Sequence, residues 1–227
     1  MRPVIFLGTS TNLEVPLRIC QLCNIPVAGI VDSDYYGNTD KKNDVEIIGS
    51  EHSFDFNAAR DQFDFFIGQS YSTQDQRSRK KRLDYISIIN HHNLNCATLI
   101  HPGSEIYNNV EIGPGCLIGF CAGISHHVTI GAHSRLDSFS IIGHHVEIGD
   151  NCYINSYSMI STNTIIKDNV AIMPGAAILR TGKNRTVVGN DAIIYPRVTV
   201  ARDVEPGEII SLAGSNTRRI YGEVIRS

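Results

Sequence analysis

A six-residue repeat runs through the sequence from residue 98 and constrains the fold more than any other feature. Every sixth position from Ile100 to Ile178 is Ile or Leu, and the residue two places before each of them is Thr, Ser, Val, Cys or Ala. A short strand that buries one aliphatic and one small side chain is the unit of a solenoid, whose neighbouring coils lie about 4.8 Å apart. Three such units make one triangular coil, so residues 18 positions apart are expected to stack.

The repeat changes its step once, after Ile178. The next large positions are Val188, Ile194 and Val200, so the step from Ile178 to Val188 is ten residues instead of six. This step predicts a four-residue insertion around residues 180–185. Because the flanking strands keep their register, the extra residues are expected to protrude as a loop.

The first 94 residues show short apolar runs that alternate with helix-like spacing. Four runs are predicted to be strands and two segments to be helices: residues 4–8, 27–32, 45–48 and 63–68, and residues 13–23 and 75–90. This order predicts a small open parallel sheet with flanking helices, a Rossmann-like α/β domain. The basic stretch of the second helix, from Arg77 to Arg82, is expected to be a solvated face. We therefore expect two domains, 1–94 and 95–227.

The first strand-to-helix turn of this predicted sheet is where a nucleotide phosphate would bind, because backbone N–H groups at a helix start favour anions. Gly8, Thr9 and Ser10 are the candidate residues, although one glycine does not make the GxGxxG of dinucleotide-binding proteins. Asp32 and Asp34 follow the second predicted strand and could accept hydrogen bonds from a ribose or a base edge. In the alternative interpretation, the first turn caps a helix and the two aspartates shape a turn.

Charge and composition exclude several classes of function. Lys and Arg number 20 against 23 Asp and Glu, so no global basic field exists for sequence-independent binding to nucleic acid or anionic lipid. No apolar run approaches the roughly 20 residues that span a bilayer, and the first residues lack a signal-peptide pattern, so we expect a cytoplasmic protein. Cys20 and Cys23 form a CxxC pair without a second pair, so the six cysteines are expected to be buried thiols and no metal site is expected.

Histidines cluster in the middle of the repeat. His126 and His144 are 18 residues apart and should occupy the same corner of successive coils, as should His127 and His145. The predicted insertion rises from this corner too. Acyl transfer to an amine or a hydroxyl needs a base and a donor to the developing oxyanion, and histidine titrates near neutral pH. The column and its loop therefore predict an active groove; the alternative is a set of ordinary surface histidines.

The repeat and the domain before it resemble the hexapeptide-repeat acyltransferases, within them the group of sialic-acid O-acetyltransferases and nucleotide-amino-sugar N-acetyltransferases. Residues 201–207 (ARDVEPG) and 213–220 (AGSNTRRI) are similar to the C-terminal signature of that superfamily. The resemblance implies a left-handed parallel β-helix, a homotrimer, acetyl-CoA in the groove between two prisms, and a sugar nucleotide held by the N-terminal domain.

The resemblance also implies roles for individual residues. Residues 141–149 (IIGHHVEIG) are similar to the segment in which the family's catalytic histidine precedes an acidic residue, which implies His144 as the general base. His145 stands in place of the acidic residue, and Asp137 is the candidate substitute for it. His126, one coil away, is a candidate substrate-binding residue. The backbone N–H of Thr162 is implied to bind the thioester oxygen.

Basic residues near the same corner are candidates for binding the phosphate groups of the coenzyme. They lie in the predicted column, its insertion and the two C-terminal segments: Arg180, Lys183, Arg185, Arg202 and Arg218.

The leading functional prediction is acetyl transfer from acetyl-CoA to the amino group of a UDP- or dTDP-linked amino-deoxy sugar, for synthesis of a surface or glycoprotein glycan. The nearest alternative is O-acetylation of a sugar such as sialic acid. From a different class, the prism could be a non-acylating scaffold or a carbonic-anhydrase-like protein, which would need three histidines at a metal site between subunits.

Overall fold

The computed structural model describes residues 2–10, 13–70, 75–180, 182, 184–212, 217–220 and 223–225. It divides into two compact units, residues 1–102 and 103–227. The division lies slightly beyond the change of architecture expected at residue 94, because the short strand Leu99–Ile100 belongs to the first unit. There the Cys23 thiol donates a hydrogen bond to the Ile100 carbonyl at 3.6 Å.

Unit 1 is a five-stranded sheet with three helices. In chain order its elements are β1 (Val4–Leu7), α1 (Glu14–Leu22), β2 (Val27–Val31), β3 (Lys41–Lys42), β4 (Val45–Gly49), α2 (Phe56–Ala59), β5 (Asp64–Ile67), α3 (Gln76–His92) and β6 (Leu99–Ile100). The sheet order is β3-β4-β2-β1-β5. The four longer strands and the two longer helices are those that the sequence predicts.

The sheet is mixed, and the prediction of a wholly parallel sheet is wrong at one edge. Strands β1, β2, β4 and β5 pair in parallel, but β3 pairs with β4 in the antiparallel sense. The cause is a two-residue turn at Asn43 and Asp44, both with positive φ (50° and 62°), which is the conformation of a tight hairpin. The parallel strands bury their apolar runs, and Tyr85 and Ile89 of α3 pack into the same core.

Unit 2 is built from short strands, one for each hexad. They are β7 (Glu105–Ile106), β8 (Val110–Ile112), β9 (Leu117–Ile118), β10 (Gly123–Ile124), β11 (Val128–Ile130), β12 (Arg135–Leu136), β13 (Ile141–Ile142), β14 (Glu147–Ile148), β15 (Tyr153–Ile154), β16 (Met159–Ile160), β17 (Thr164–Ile166), β18 (Ala171–Ile172), β19 (Ala177–Ile178), β20 (Thr186–Val188), β21 (Ile193–Ile194), β22 (Thr199–Val200), β23 (Glu208–Ile210), β24 (Thr217–Ile220) and β25 (Glu223–Ile225).

Every third strand joins the same parallel sheet. We call the sheet of β9, β12, β15, β18, β21 and β23 sheet I, that of β7, β10, β13, β16, β19 and β22 sheet II, and that of β8, β11, β14, β17 and β20 sheet III. Strands β24 and β25 extend sheet I in the antiparallel sense. The chain passes from sheet I to II to III in each coil, so the predicted parallel β-helix is confirmed.

The large position of each hexad forms the core of unit 2. Ile124, Ile142 and Ile160 pair in register along sheet II, and each is buried. Burial of one such side chain contributes about 1.5 to 3 kcal/mol to stability. Ser140, two positions before Ile142, is buried as well. The alternation of large and small side chains therefore fills the prism as the sequence predicts.

The predicted insertion is present. Thr164 of β17 pairs with Thr186 of β20, a step of 22 residues where the regular coil has 18, so four residues are added. Of its described residues, Arg180, Gly182 and Asn184 are exposed and Arg185 is half-buried. The added residues leave the sheet between β19 and β20 and return without a change of register.

The prediction of buried cysteines holds for only part of the set. Cys20, Cys116 and Cys152 are buried, whereas Cys23 and Cys121 are exposed. Cys121 occupies a corner of the helix with positive φ (52°), and Cys23 ends α1. These positions lie at turns, so their side chains are not drawn into a core. In the described ranges, no helix is long and apolar enough to cross a membrane.

Candidate active site

The corner between sheets II and III carries the predicted catalytic histidine. β13 ends at Ile142, and Gly143, His144 and His145 form the turn that leads to β14. A Cβ on Gly143 would lie 2.7 Å from the backbone nitrogen of Thr162, so only glycine allows the two coils to approach here. His145 then adopts φ 58°, a left-handed conformation that also occurs one coil earlier at His127. The turn thus presents two adjacent imidazoles on each of two coils.

Four imidazoles meet at this corner, and we call His126, His127, His144 and His145 the histidine corner. The rings of His126 and His144 are stacked, with centroids 5.2 Å apart and planes within 3°. The rings of His127 and His145 lie 5.0 Å apart. The Nδ1 atoms of His144 and His145 are 2.9 Å apart and share a hydrogen bond. The 18-residue spacing therefore brings together the side chains that the sequence predicts to be neighbours.

The electrostatic environment of His145 favours its neutral form. The desolvation of His145 by its surroundings, together with repulsion from His127, His144, His126 and Arg185, lowers the pKa of His145. Arg185 donates a hydrogen bond to the His145 carbonyl at 3.1 Å and forms an ion pair with Glu147 at 2.5 Å. A neutral imidazole can accept a proton, which is the property that a general base requires.

The next coil supplies a backbone donor at the same corner. Thr162 lies one coil beyond His144, and Asn163 donates its backbone N–H to the His144 carbonyl at 3.0 Å. The N–H of Thr162 itself donates to no residue in the part of the chain that the structure describes. An available N–H beside a candidate base is a suitable donor to a developing oxyanion.

The structure does not place Asp137 beside His144. Asp137 follows β12 at the corner between sheets I and II, whereas His144 follows β13 at the next corner. The Asp137 carboxylate accepts hydrogen bonds from Arg135 Nε at 2.6 Å and from the Tyr153 hydroxyl at 2.9 Å. Asp137 is buried and fully engaged there, so the expectation that it substitutes as the carboxylate partner of His144 within one chain is corrected.

The candidate coenzyme-binding residues fall into three groups. Arg180 is exposed at the histidine corner, in the position that the repeat predicts. Arg185 and Arg202 already have carboxylate partners: Glu147 for Arg185, and Glu208 for Arg202 at 2.7 and 3.1 Å. Lys183 and the side chain of Arg218 lie outside the described residues.

A second group of candidate residues lies at the carboxyl end of the parallel strands of unit 1. Gly8 has φ 74°, and a Cβ there would collide with the ring of Tyr85. The backbone N–H and the hydroxyl of Thr9 both donate to Asp32 Oδ2, at 2.8 and 3.0 Å. The hydroxyl of Ser10 donates to the Gly68 carbonyl at 3.1 Å. The first turn is therefore held by hydrogen bonds to the ends of neighbouring strands.

The two aspartates after β2 have different environments. Asp32 is buried, and its Oδ1 also accepts a hydrogen bond from the backbone N–H of Asp34 at 3.0 Å. This contact agrees with the alternative interpretation of the sequence, in which the aspartates shape a turn. The side chain of Asp34 is 40% exposed and is the one of the two that a ligand could reach. The pKa of the Asp34 carboxyl is lowered by its hydrogen bond from Lys81 and by Arg77.

Lys81, which the sequence pattern places on a solvated face, instead joins three carboxylates at this edge. Its ammonium lies 2.5 Å from Asp32, 2.9 Å from Asp34 and 3.6 Å from Glu51. Burial alone would lower the pKa of Lys81, but its hydrogen bonds with the two aspartates raise it overall. Tyr85 donates its hydroxyl to Glu51. We call Asp32, Asp34, Glu51 and Lys81 the carboxylate cluster.

The expectation of a solvated basic face on α3 is therefore wrong for part of the helix. Only 15% of the Lys81 side chain is exposed, and the buried Arg82 donates to the Gln69 carbonyl at 2.8 Å. A spacing of four residues places Arg77, Lys81 and Tyr85 on one face of α3, where all three contact acidic residues. That spacing was the available signal in the sequence.

Comparisons with known proteins agree with this architecture. Residues 127–162, which include His127, His144 and His145 of the histidine corner, match the family model described as bacterial transferase hexapeptide (six repeats). No curated protein matches the chain. Among the described residues, no group of three or more His, Cys, Asp or Glu is arranged to hold a metal ion.

Solved structures share the fold over nearly the whole chain. A histidine mutant of perosamine N-acetyltransferase from Caulobacter crescentus, in complex with CoA and GDP-perosamine, is 17% identical, with 99% of this chain and 97% of that chain covered and a TM-score of 0.76. WeeI from Acinetobacter baumannii AYE is 19% identical, with 92% and 96% covered and a TM-score of 0.76. The predicted fold, a small α/β sheet followed by a left-handed parallel β-helix, is confirmed, as is the resemblance to hexapeptide-repeat acyltransferases.

Replacement of Lys81 by Met tests the importance of the carboxylate cluster. The change keeps most of the side chain but leaves three carboxylates without their shared cation. We expect the free energy of unfolding at pH 7 to fall by about 3 kcal/mol, the lower end of the range for breaking a buried ion pair, because Lys81 keeps some exposure. Chemical unfolding of the variant and the wild type measures the difference, with the exposed neighbour in Lys80→Met as the control.

The effect should depend on pH in a defined direction. The pKa of Asp34 is lowered in the folded protein, so its contribution to stability is present above the pKa of the unfolded state, about 3.9, and is lost as the pH falls through the folded value. The difference between Lys81→Met and the wild type should therefore shrink as the pH falls below about 4. A difference of the same size at pH 7 and pH 3 would contradict this account.

Proposed function

We propose that the protein transfers the acetyl group of acetyl-CoA to the amino group of a nucleotide-linked amino-deoxy sugar. The observation that carries the proposal is the histidine corner, where His144 lies one coil from the available backbone N–H of Thr162. A base and an oxyanion donor on adjacent coils are the two groups that acyl transfer from a thioester requires. The shared fold with an N-acetyltransferase whose structure contains CoA and GDP-perosamine supports the same reaction class.

In the proposed reaction, the amine nitrogen attacks the thioester carbonyl while His144 accepts the proton that the amine loses. The carbonyl oxygen becomes negatively charged, and the Thr162 N–H donates to it. When the carbon–sulfur bond breaks, the coenzyme leaves as a thiolate and takes up the proton that His144 accepted, which regenerates the base. Base catalysis of this kind typically contributes about 10²- to 10⁴-fold to the rate. His126, whose ring is stacked on that of His144, lies at the same corner and is proposed to contact the sugar.

Unit 1 is proposed to bind the nucleotide part of the substrate. Gly8, Thr9 and Ser10 form the turn at the carboxyl end of β1, and Asp34 is the exposed carboxylate beside it. In open α/β sheets, ligands bind at this end of the strands. Asp32, which is buried, acts by holding Thr9 and Lys81 in place. The proposal covers uridine, thymidine and guanosine diphosphates, because GDP-perosamine is the sugar nucleotide bound in the neighbouring structure.

The coenzyme is proposed to lie along the histidine corner beside the insertion. Thr162 and Arg180 are at this corner, and Lys183 and Arg185 belong to the insertion. To bind a phosphate group, Arg185 would release its ion pair with Glu147. Arg202 would likewise release its ion pair with the buried Glu208. Arg218 completes the proposed set. Because acetyl-CoA and nucleotide sugars are cytoplasmic metabolites, we propose a cytoplasmic location.

A homotrimer is proposed because unit 2 exposes an apolar surface next to the histidine corner. Phe120, Phe139 and Tyr157 form an aromatic column at the corner between sheets I and II, with the rings of Phe139 and Tyr157 stacked at 5.0 Å. Ile141 and Met159 are exposed beside it on sheet II. Exposed apolar patches of this kind are typical of association surfaces. We call these five residues the apolar face.

The position of the apolar face relates it to the active site. Sheet II has the aromatic column at one edge and the histidine corner at the other, since Phe139 precedes β13 and His144 follows it. If a second copy of the chain covers Ile141, the edge of its contact surface would therefore lie beside His144. This copy would supply the facing wall that a single prism lacks.

Charged substitutions on the apolar face test this assembly. Ile141 and Tyr157 are 57% and 66% exposed, so Ile141→Lys with Tyr157→Lys should leave the prism folded. We expect the wild-type protein to sediment as a trimer and the double variant as a monomer with little activity. Thr129→Lys, an exposed change on sheet III, serves as the control and should remain trimeric. A wild-type monomer with full turnover would contradict the proposal.

Release of coenzyme A from acetyl-CoA tests the reaction itself. The protein is assayed with amino sugars linked to UDP, dTDP and GDP, and with acceptors that offer only hydroxyl groups, including sialic acid. We expect turnover with one or more of the nucleotide-linked amino sugars, and mass spectrometry should locate the acetyl group on nitrogen. Turnover with sialic acid alone would favour O-acetylation, and no release with any acceptor would overturn the proposal.

Replacement of His144 by Ala tests the base. We expect kcat to fall by about 10²- to 10⁴-fold with saturating substrates, because the amine then has no group to accept its proton. The matched change His126→Ala removes the stacked ring one coil away and should act mainly on the KM of the sugar. If His144→Ala retains near-normal kcat while His126→Ala abolishes it, the base has been assigned to the wrong coil.

A further inference from the structure

The hydrogen bond between His144 and His145 joins two identical groups, and this limits how many protons the pair can hold. The two Nδ1 atoms are 2.9 Å apart. One of them must carry a hydrogen and the other must present a lone pair, because two N–H groups or two lone pairs would repel. The contact in the structure therefore fits a pair with one proton between the two Nδ1 atoms.

The direction of this hydrogen bond follows from the chemistry of His144. A histidine that accepts a proton at Nε2 must carry its resident hydrogen on Nδ1. His144 would then donate through Nδ1–H, and His145 would accept at Nδ1 with its own hydrogen on Nε2. In the opposite arrangement the resident hydrogen of His144 lies on Nε2, and that atom cannot serve as a base.

The surroundings keep His145 in the accepting form. His126 lies edge-to-face with His145 at 5.6 Å, and His127 lies 5.0 Å away. The Arg185 guanidinium approaches from the insertion and donates to the His145 carbonyl, while Glu147 offsets part of its charge. Desolvation of His145, together with repulsion from the neighbouring imidazoles and from Arg185, lowers the pKa of His145.

We propose that His145 is the positioning residue of the proposed acetyl transfer: as a neutral acceptor it holds the Nδ1–H of His144 and so presents Nε2 of His144 as the base. The inference rests on the proposed function and adds to it an uncharged hydrogen-bond partner for the base, His144. A carboxylate in this position would stabilise the protonated form of His144 by an opposite charge, but a neutral imidazole stabilises it only through the hydrogen bond.

A purely structural role for His145 makes a different prediction. His145 has φ 58°, so its replacement could act through the turn alone. Glycine accepts this conformation without strain, and His145→Gly therefore removes the imidazole while keeping the turn. Asn109 has the same φ, 58°, at the same corner two coils earlier, so Asn109→Gly is the matched control for the change of backbone.

Kinetic measurements on the full-length protein separate the two roles. With saturating substrates, we expect His145→Gly to lower kcat on the order of tenfold or more with little change in KM, and Asn109→Gly to leave both unchanged. His145→Asp should retain activity and move the acidic limb of the kcat profile to higher pH by about one unit or more, because a carboxylate stabilises protonated His144. Equal kcat and pH profiles for His145→Gly and the wild type would overturn the inference.

A spectroscopic measurement tests the inference without any turnover. Nitrogen-15 NMR of histidine in the free protein distinguishes the two neutral tautomers. We expect the Nδ1–H tautomer for His144 and the Nε2–H tautomer for His145, and loss of the His144 preference in His145→Gly. The opposite tautomers would overturn the inference. If the tautomers are as expected but no acceptor is acetylated, the proposed function is wrong, whereas the assigned hydrogen bond from His144 to His145 is supported.

Discussion

The burial of one aliphatic and one small side chain in every hexad is the interaction on which unit 2 depends. Ile124, Ile142 and Ile160 stack in register at intervals of 18 residues, so the corners of these coils superpose on one another. The site is a consequence of this packing, because residues 18 apart are delivered to the same place. The stacked rings of His126 and His144 are an instance of it. The residue types at the corner can vary without loss of the fold, because their side chains are not part of the core.

Unit 1 is organised by charge as well as by apolar burial. Asp32, at the end of β2, orders the first turn through Thr9 and is itself neutralised by Lys81 of α3. A buried carboxylate without a cation would be strongly destabilising, so the helix and the strand ends depend on each other. The same arrangement leaves Asp34 accessible while it lowers the pKa of that carboxyl. The turn that is proposed to bind the nucleotide is thereby held in place by hydrogen bonds and ion pairs.

One departure from the regular prism occurs at the corner that carries the candidate chemistry. The insertion adds four residues there without disturbing the pairing of β17 with β20. Its Arg185 returns to Glu147 and to the His145 carbonyl, so the loop influences the charge of the histidine corner. His145 in turn contacts His144 through the Nδ1 atoms. Loop, ion pair and imidazole pair are therefore parts of one electrostatic unit.

Much of this architecture could be derived from the sequence, since a repeat of six residues is a local pattern that defines strand, turn, stacking partner and insertion together. The column of His126 and His144 follows from counting in steps of 18. The sequence could not show that Asp137 pairs with Arg135 and Tyr153, or that Lys81 is drawn towards Asp32. Such pairs join side chains whose contacts depend on corner geometry and on the facing strand ends. Periodicity determines which residues share a face or a corner, but only the tertiary structure decides which polar groups bond there, because a buried charge takes whichever partner the packing brings within reach.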